Sequence, residues 1–177
     1  KKLERLKTLG PNQETKVEFS VKLKELLDFS EADKNNMLIK NKIDIFDVSE
    51  EFQTKISSKL DLYQKAFYQK TGGMENSGQI PPKAGETTTY IISWQVKNNF
   101  NDVKNIKVRA KLPDGVGLAD EIMPESEAGK FSFDSVSREI LWSAGDAGAG
   151  QSTGTLYFKV ALNPQSFQTG NTVQLIG

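Results

Sequence analysis

This chain contains no cysteine and no histidine. Their joint absence removes thiolate and imidazole nucleophiles, the imidazole general base and the usual zinc ligands. A cysteine-free chain suits an exposed bacterial surface, where thiols invite oxidation, although many cytosolic proteins also lack cysteine. Neither charge is in excess. The 23 Lys and Arg balance 23 Asp and Glu, so nothing electrostatic draws the chain to nucleic acid or to an anionic membrane. No run of about 18 apolar residues occurs, so no segment reads as a membrane-spanning helix. No signal-peptide pattern is visible, and the charged, abrupt start KKLERLKTLG reads as a fragment or a mature segment. Helical periodicity is scarce too. The one helix-like stretch, LKELLDFSEADK, is short and joins two strand-like runs, so it reads as a loop with room for one helical turn.

What is present is alternation, the mark of half-buried strands. The chain has 177 residues, enough for one domain or two small ones, and its 10 Phe, 4 Tyr and 2 Trp can build a core despite a hydrophobic content of 37%. TKVEFSVKL places Val17, Phe19, Val21 and Leu23 on one face. In NKIDIFDV, Ile43 and Ile45 oppose Phe46 and Val48 in parity, which predicts a bulge or a two-sided strand. KISSKLDLYQKAFYQ holds Leu60, Leu62 and the run Ala66 to Tyr68. TTYIISWQVKN sets Tyr90, Ile92, Trp94 and Val96 against Ile91, Ser93 and Gln95. VKNIKVRAKL sets Ile106, Val108, Ala110 and Leu112 against Lys107, Arg109 and Lys111. KFSFD and REILWSAG predict a hairpin, GTLYFKVAL another strand, and NTVQLIG closes the chain. Turn signals separate these runs at Gly72-Gly73, Pro81-Pro82, Asn98-Asn99, Pro113 to Gly115, Gly145 to Gly150 and Asn163-Pro164. Many strands without intervening helices predict an all-β antiparallel sandwich.

An internal repeat adds organisation. GPNQETKVEFSVKL and AGQSTGTLYFKVAL match Phe19 with Phe158, Val21 with Val160 and Leu23 with Leu162 at one constant offset. Each copy is followed by a polar loop and a short apolar run, NNMLI in one and NTVQLI in the other. The first copy continues into KNKIDIFDVSEEF; the second stops at QLIG. The chain therefore reads as residues 1–60, the C-terminal strands of a preceding sandwich repeat, and residues 61–177, a sandwich module lacking its last strand. An unpaired edge is costly, and three arrangements relieve it: the chain is a piece of a longer one, a neighbouring chain donates the strand, or the N-terminal strands pack back. The first is the reading taken here.

The ordered motifs carry a family likeness. AGETTTYIISWQVKNNFNDVKNIKVRAKLPDGV, with Gly85, Tyr90, Asn98, Leu112, Pro113 and Gly115, followed by a hairpin bearing Trp142, a Gly-rich turn and an alternating strand, resembles the immunoglobulin-like conserved repeat domain of unknown function found in bacterial and archaeal surface proteins. NSGQIPPKAGETTTYIISWQVKN looks most like versions from small-genome candidate-phyla bacteria. The resemblance covers roughly Leu60 to Gly177. It implies an immunoglobulin-like sandwich and a secreted or surface-anchored protein, and it brings no catalytic residues.

Candidate sites are few. Trp94 and Trp142 on alternating strands read as inter-sheet core anchors rather than ligand platforms. ADEIMPESE gathers Asp120, Glu121, Glu125 and Glu127, hard oxygen ligands that suit calcium, but without EF-hand spacing it reads first as an acidic surface loop. DIFDVSEE, with Asp44, Asp47, Glu50 and Glu51, is a similar cluster near the module junction. PDGV reads as a tight turn closing a strand, and GDAGAG as a flexible turn, since it lacks the lysine and following helix of a phosphate loop. No Ser-x-x-Lys or Gly-x-Ser-x-Gly occurs, and no carboxylate pair stands out by spacing. Lys and Asn are plentiful enough for an isopeptide crosslink of the kind some surface sandwiches carry, but no spacing marks one. No cofactor is expected. The expectation is not an enzyme but a structural repeat of an extracellular or cell-surface protein: a stalk, surface layer or filament subunit. Its partners would be neighbouring modules or identical subunits, joined by strand complementation, with no nucleic acid and no membrane insertion. The alternative is an adhesin that contacts a host cell, glycan or protein through end loops, PESEAGKF among them, or through a free sheet edge.

Overall fold

The computed structural model describes residues 10–20, 22, 37–45 and 47–177, apart from the side chains of Ile45 and Asp120. LKELLDFSEADK, Val21, Leu23 and Phe46 lie outside the described residues. The first strands form a hairpin: β1 (Leu38–Ile45) pairs antiparallel with β2 (Val48–Lys55) from Leu38↔Lys55 to Ile45↔Val48. The parity conflict in NKIDIFDV is thus resolved by a chain reversal rather than by a bulge. β2 is exposed along its whole length. A two-residue connection and cross-strand hydrogen bonds make it a strand, since its charged sequence shows no apolar face.

Next come β3 (Leu60–Phe67), β4 (Thr88–Asn98), β5 (Val103–Lys111), β6 (Val116–Met123), a one-turn helix α1 (Glu125–Ala128), β7 (Phe131–Asp134), β8 (Glu139–Ala147) and β9 (Leu156–Leu162). They build two antiparallel sheets, β3-β4-β9-β6 and β5-β8-β7, which face one another as an all-β sandwich. The alternating residues expected to be inward are the ones buried: Ile92, Trp94 and Val96 of β4, Ile106 and Val108 of β5, Ile140 and Trp142 of β8, and Leu156, Phe158 and Val160 of β9. The centre is aromatic. Trp94 meets Phe158 edge-on at 4.8 Å between centroids and Trp142 at 6.4 Å, and Phe131 stacks against Phe158 at 5.2 Å.

β4 is buried on both faces. Ile91 and Ser93 turn away from the sandwich core yet are covered, and Met74 is fully buried as well. The turn Thr71–Met74 reaches the outer side of this sheet at Tyr157 of β9, the residue opposite Ser93. Gly72 permits the approach: it adopts φ +61, and a Cβ there would sit 2.7 Å from the Tyr157 ring.

Three segments differ from expectation. Within TKVEFSVKL, Thr15–Ser20 joins no sheet and Phe19 is 69% exposed. The stretch it matches in sequence, β9, is a strand because β4 and β6 flank it on both sides. ADEIM is not loop but the second half of β6, where the register jumps between Ala119 and Ile122 and the two acidic residues form a bulge. Half of GDAGAG is also strand. Gly145, at φ +84, sits at the irregularity between Ile106 and Lys107 of β5, where a left-handed residue lets β8 absorb the extra length.

Candidate functional site

The stretch KNNFND joins β4 to β5 and is the most densely hydrogen-bonded polar place in the described chain. Asn98 ends β4 on its inner face and is fully buried. Its Nδ2 lies 2.9 Å from the Asn101 carbonyl, 2.9 Å from that of Ala147 and 2.8 Å from that of Gly148, while its Oδ1 accepts from the Ser58 hydroxyl. Its own N–H donates to the Gln151 carbonyl at 2.8 Å. One amide therefore ties the end of β4 to the turn after β8, satisfying carbonyls that burial would otherwise strand. Asn98 faces carbonyls and a serine here, not a lysine amine.

Three residues on, Asn101 reaches the other way. Its Oδ1 accepts the Met37 N–H at 2.8 Å, and its Nδ2 donates to the carbonyls of Met37 at 3.1 Å and Ile56 at 2.6 Å. Ile56 N–H donates to the Met37 carbonyl at 3.0 Å. The amide thus spans both strands at the base of the β1–β2 hairpin. Asn99 adds donations to the Lys59 carbonyl at 3.1 Å and to Asp61 at 2.6 Å, and the Phe100 N–H donates to Ser58 Oγ at 3.0 Å. The chemistry is mechanical: neutral amides read backbone and lock an incoming hairpin to the sandwich.

The acidic residues are placed differently. Asp120 and Glu121 lie in the β6 bulge, and Glu125 and Glu127 in α1. Glu121 pairs with Lys159. Glu127 pairs with Lys130 at 2.8 Å and accepts the Trp142 indole N–H at 2.9 Å. Partial burial works to raise the Glu127 pKa, but the Lys130 ammonium and the Trp142 N–H together outweigh it, so the carboxyl sits below its ordinary value. In the second cluster, hydrogen bonds from Ser49 and then Lys42 hold Asp44 below the usual carboxylate value, and Glu51 accepts from Gln53 at 2.9 Å. Among the described residues no three carboxylates gather where a metal ion could be held.

Trp94 and Trp142 are both fully buried, and each indole N–H is satisfied, Trp94 donating to Gln64 at 2.6 Å. The PDGV turn closes with Val116 N–H donating to the Pro113 carbonyl at 3.1 Å. It is clamped by a residue that sequence reasoning missed. Arg138, at φ +61, donates from Nε to the Leu112 carbonyl at 3.0 Å and from its terminal nitrogen to the carbonyls of Pro113 and Val116. No spacing rule links residue 138 to that turn; only the β5–β8 pairing brings them together.

At the other end of β4 from Asn98 lies an open groove of about 700 Å³, lined by Pro81, Pro82, Tyr90, Leu162, Pro164 and Val173. PESEAGKF, including α1, does not line it. No protein-family model matches the chain, and no curated protein matches it.

Proposed function

We propose that this chain is a structural repeat module of a bacterial cell-surface or extracellular protein, of the immunoglobulin-like kind its sequence resembles, serving a stalk, surface layer or filament. The observation that carries this reading is the Asn101 clamp, which fixes a hairpin from the chain ahead of the sandwich to the β4–β5 turn. A flexible tether would need no such bonds, whereas a load-bearing array needs its joints stiff. The hairpin is a sheet of two strands only, too small to be stable alone in water, so its anchoring to the sandwich supports the reading of a stiff joint. Two experiments test the reading. Protease shaving of intact source cells should release fragments of the chain, and protection until lysis would refute the surface location. Pulling tandem copies by force spectroscopy should give one cooperative rupture per sandwich at high force; extension without discrete peaks would refute the mechanical role.

The groove beside Tyr90 favours a second reading, an adhesin that takes an apolar or proline-bearing peptide or a glycan at the end of the module. Binding on a glycan or peptide array that is abolished by Tyr90→Ala would select it.

A further inference from the structure

The four-stranded sheet has β3 at one side and β6 at the other. β6 is interrupted by its bulge, whereas β3 pairs in unbroken register and has neither bulge nor proline among its eight residues. A long regular edge of this kind is one that sheet proteins ordinarily blunt. Its hydrogen-bonding phase is fixed by one bond beyond the strand. Asn99 N–H donates to the Lys59 carbonyl at 3.0 Å, so Lys59 and Asn99 continue the β3–β4 register as a hydrogen-bonded pair. By alternation Asp61, Tyr63, Lys65 and Phe67 bond to β4, while Leu60, Leu62, Gln64 and Ala66 direct their N–H and C=O groups to the far side. Among the described residues no turn or loop backbone bonds to those four.

The side chains of this edge are self-complementary. Gln64 bonds Trp94 in the core, so the even-numbered residues of β3 face inward and Asp61, Tyr63 and Lys65 face outward. Tyr63 is 54% exposed, and Asp61 and Lys65 flank it with opposite charges. Acid, phenol, base is a row that matches itself when reversed. Turned about a two-fold axis at Tyr63, it sets Asp61 of each copy opposite Lys65 of the other, with the two Tyr63 rings side by side. The same register pairs Leu60 with Ala66 and Leu62 with Gln64, the residues whose backbone groups point to the edge. Shifted registers that keep the backbone in phase lose the charge match. An axis at Leu62 opposes Lys59 to Lys65, an axis at Asp61 opposes that carboxylate to its own copy, and an axis at Gln64 leaves Asp61 opposite Phe67.

We propose that two copies of this chain pair antiparallel along β3 about a two-fold axis at Tyr63, joining their four-stranded sheets into one continuous sheet. Each copy offers the same edge, so the contact is isologous and closes at the dimer. Backbone bonds between the edges supply the adhesion, and the two Asp61–Lys65 pairs select the register. On the inner face Leu62, 47% exposed in one copy, lies diagonal to Leu62 of the other and gains cover. This goes beyond the array reading and does not rest on it: the Asn101 clamp stiffens a joint along the chain, whereas this contact sets modules side by side.

Sedimentation velocity of the full chain over a concentration series should show a monomer–dimer equilibrium and nothing larger. Lys65→Glu alone and Asp61→Lys alone each put like charges opposite one another at both ends of the contact, and each should weaken the dimer at least about tenfold. An equimolar mixture of the two variants restores opposite charges at both ends, in the heterodimer only, and should recover wild-type affinity. A Tyr63→Cys chain should form a disulfide dimer in air, with no native thiol to interfere. Lys65→Cys should not, because the same residue of the partner lies four positions along the strand. A monomer at every concentration would overturn the proposal. So would single variants that dimerise as the wild type does, a mixture no tighter than either variant alone, or a Lys65→Cys disulfide as ready as the Tyr63→Cys one. Cell shaving and pulling of tandem copies answer the surface and mechanical questions separately, so either reading can fail without the other.

Discussion

The Asn101 side chain bonds both backbone groups of Met37, its Oδ1 accepting the N–H at 2.8 Å and its Nδ2 donating to the carbonyl at 3.1 Å. This is the pairing a strand neighbour would make, supplied by one amide. Asn101→Ala should lower the free energy of opening the hairpin by about 2 kcal/mol while changing sandwich stability little. Hydrogen exchange at Met37 and Ile56, and proteolysis within residues 56–59, would both speed up. Unchanged exchange at those amides would show that the clamp carries no load.

Asn98 gives a sharper result because its Nδ2 serves three carbonyls in a buried place. Asn98→Asp puts carboxylate oxygen against carbonyl oxygen and should cost about 3 kcal/mol or more, exceeding Asn98→Ala at about 2 kcal/mol. Urea unfolding monitored by far-ultraviolet circular dichroism measures both, and an equal cost would argue that the amide donor is not what matters.

Arg138 tests whether a fork is required. Its guanidinium reaches three carbonyls around the PDGV turn. Arg138→Lys keeps the charge but not the geometry, and it should lose most of the about 2 kcal/mol that Arg138→Ala loses. A lysine that restores wild-type stability would reduce the role of Arg138 to charge alone.

Glu127 links stability to acid. Its folded pKa lies below the ordinary 4.5, so the ionised carboxylate contributes stability that is complete above that value and disappears as pH falls through the depressed one. Between pH 6 and pH 3 the wild type should therefore lose more stability than Glu127→Gln. Parallel losses in the two chains would place the acid sensitivity elsewhere.

Alternation located β4, β5, β9 and the β7–β8 hairpin, because in each a run of apolar residues at every second position faces a second sheet. It could not locate β2, whose partner is a hairpin neighbour and whose faces are both wet. It missed β6, where the bulge at Asp120 and Glu121 breaks the period. It also marked Thr15–Ser20 as a strand that joins no sheet. A pattern tells which side of a strand is apolar, not whether a neighbour is there to pair with it. Asn98 showed only as a turn signal and a motif position, and Asn101 and Arg138 left no readable trace, because each acts on backbone, which has the same chemistry at every residue.

The tryptophan pair has an optical consequence. The chain's two indoles, Trp94 and Trp142, sit fully buried 6.4 Å apart in the sandwich, and residues 1–60 contain none. Native emission is therefore a report from one small, dry volume, blue-shifted and shared between two neighbouring chromophores. It will brighten, dim or shift when that volume is wetted and stay silent when the hairpin swings free. A detached joint would be dark to fluorescence, so a melting curve read by emission alone would pass over the event most relevant to an array.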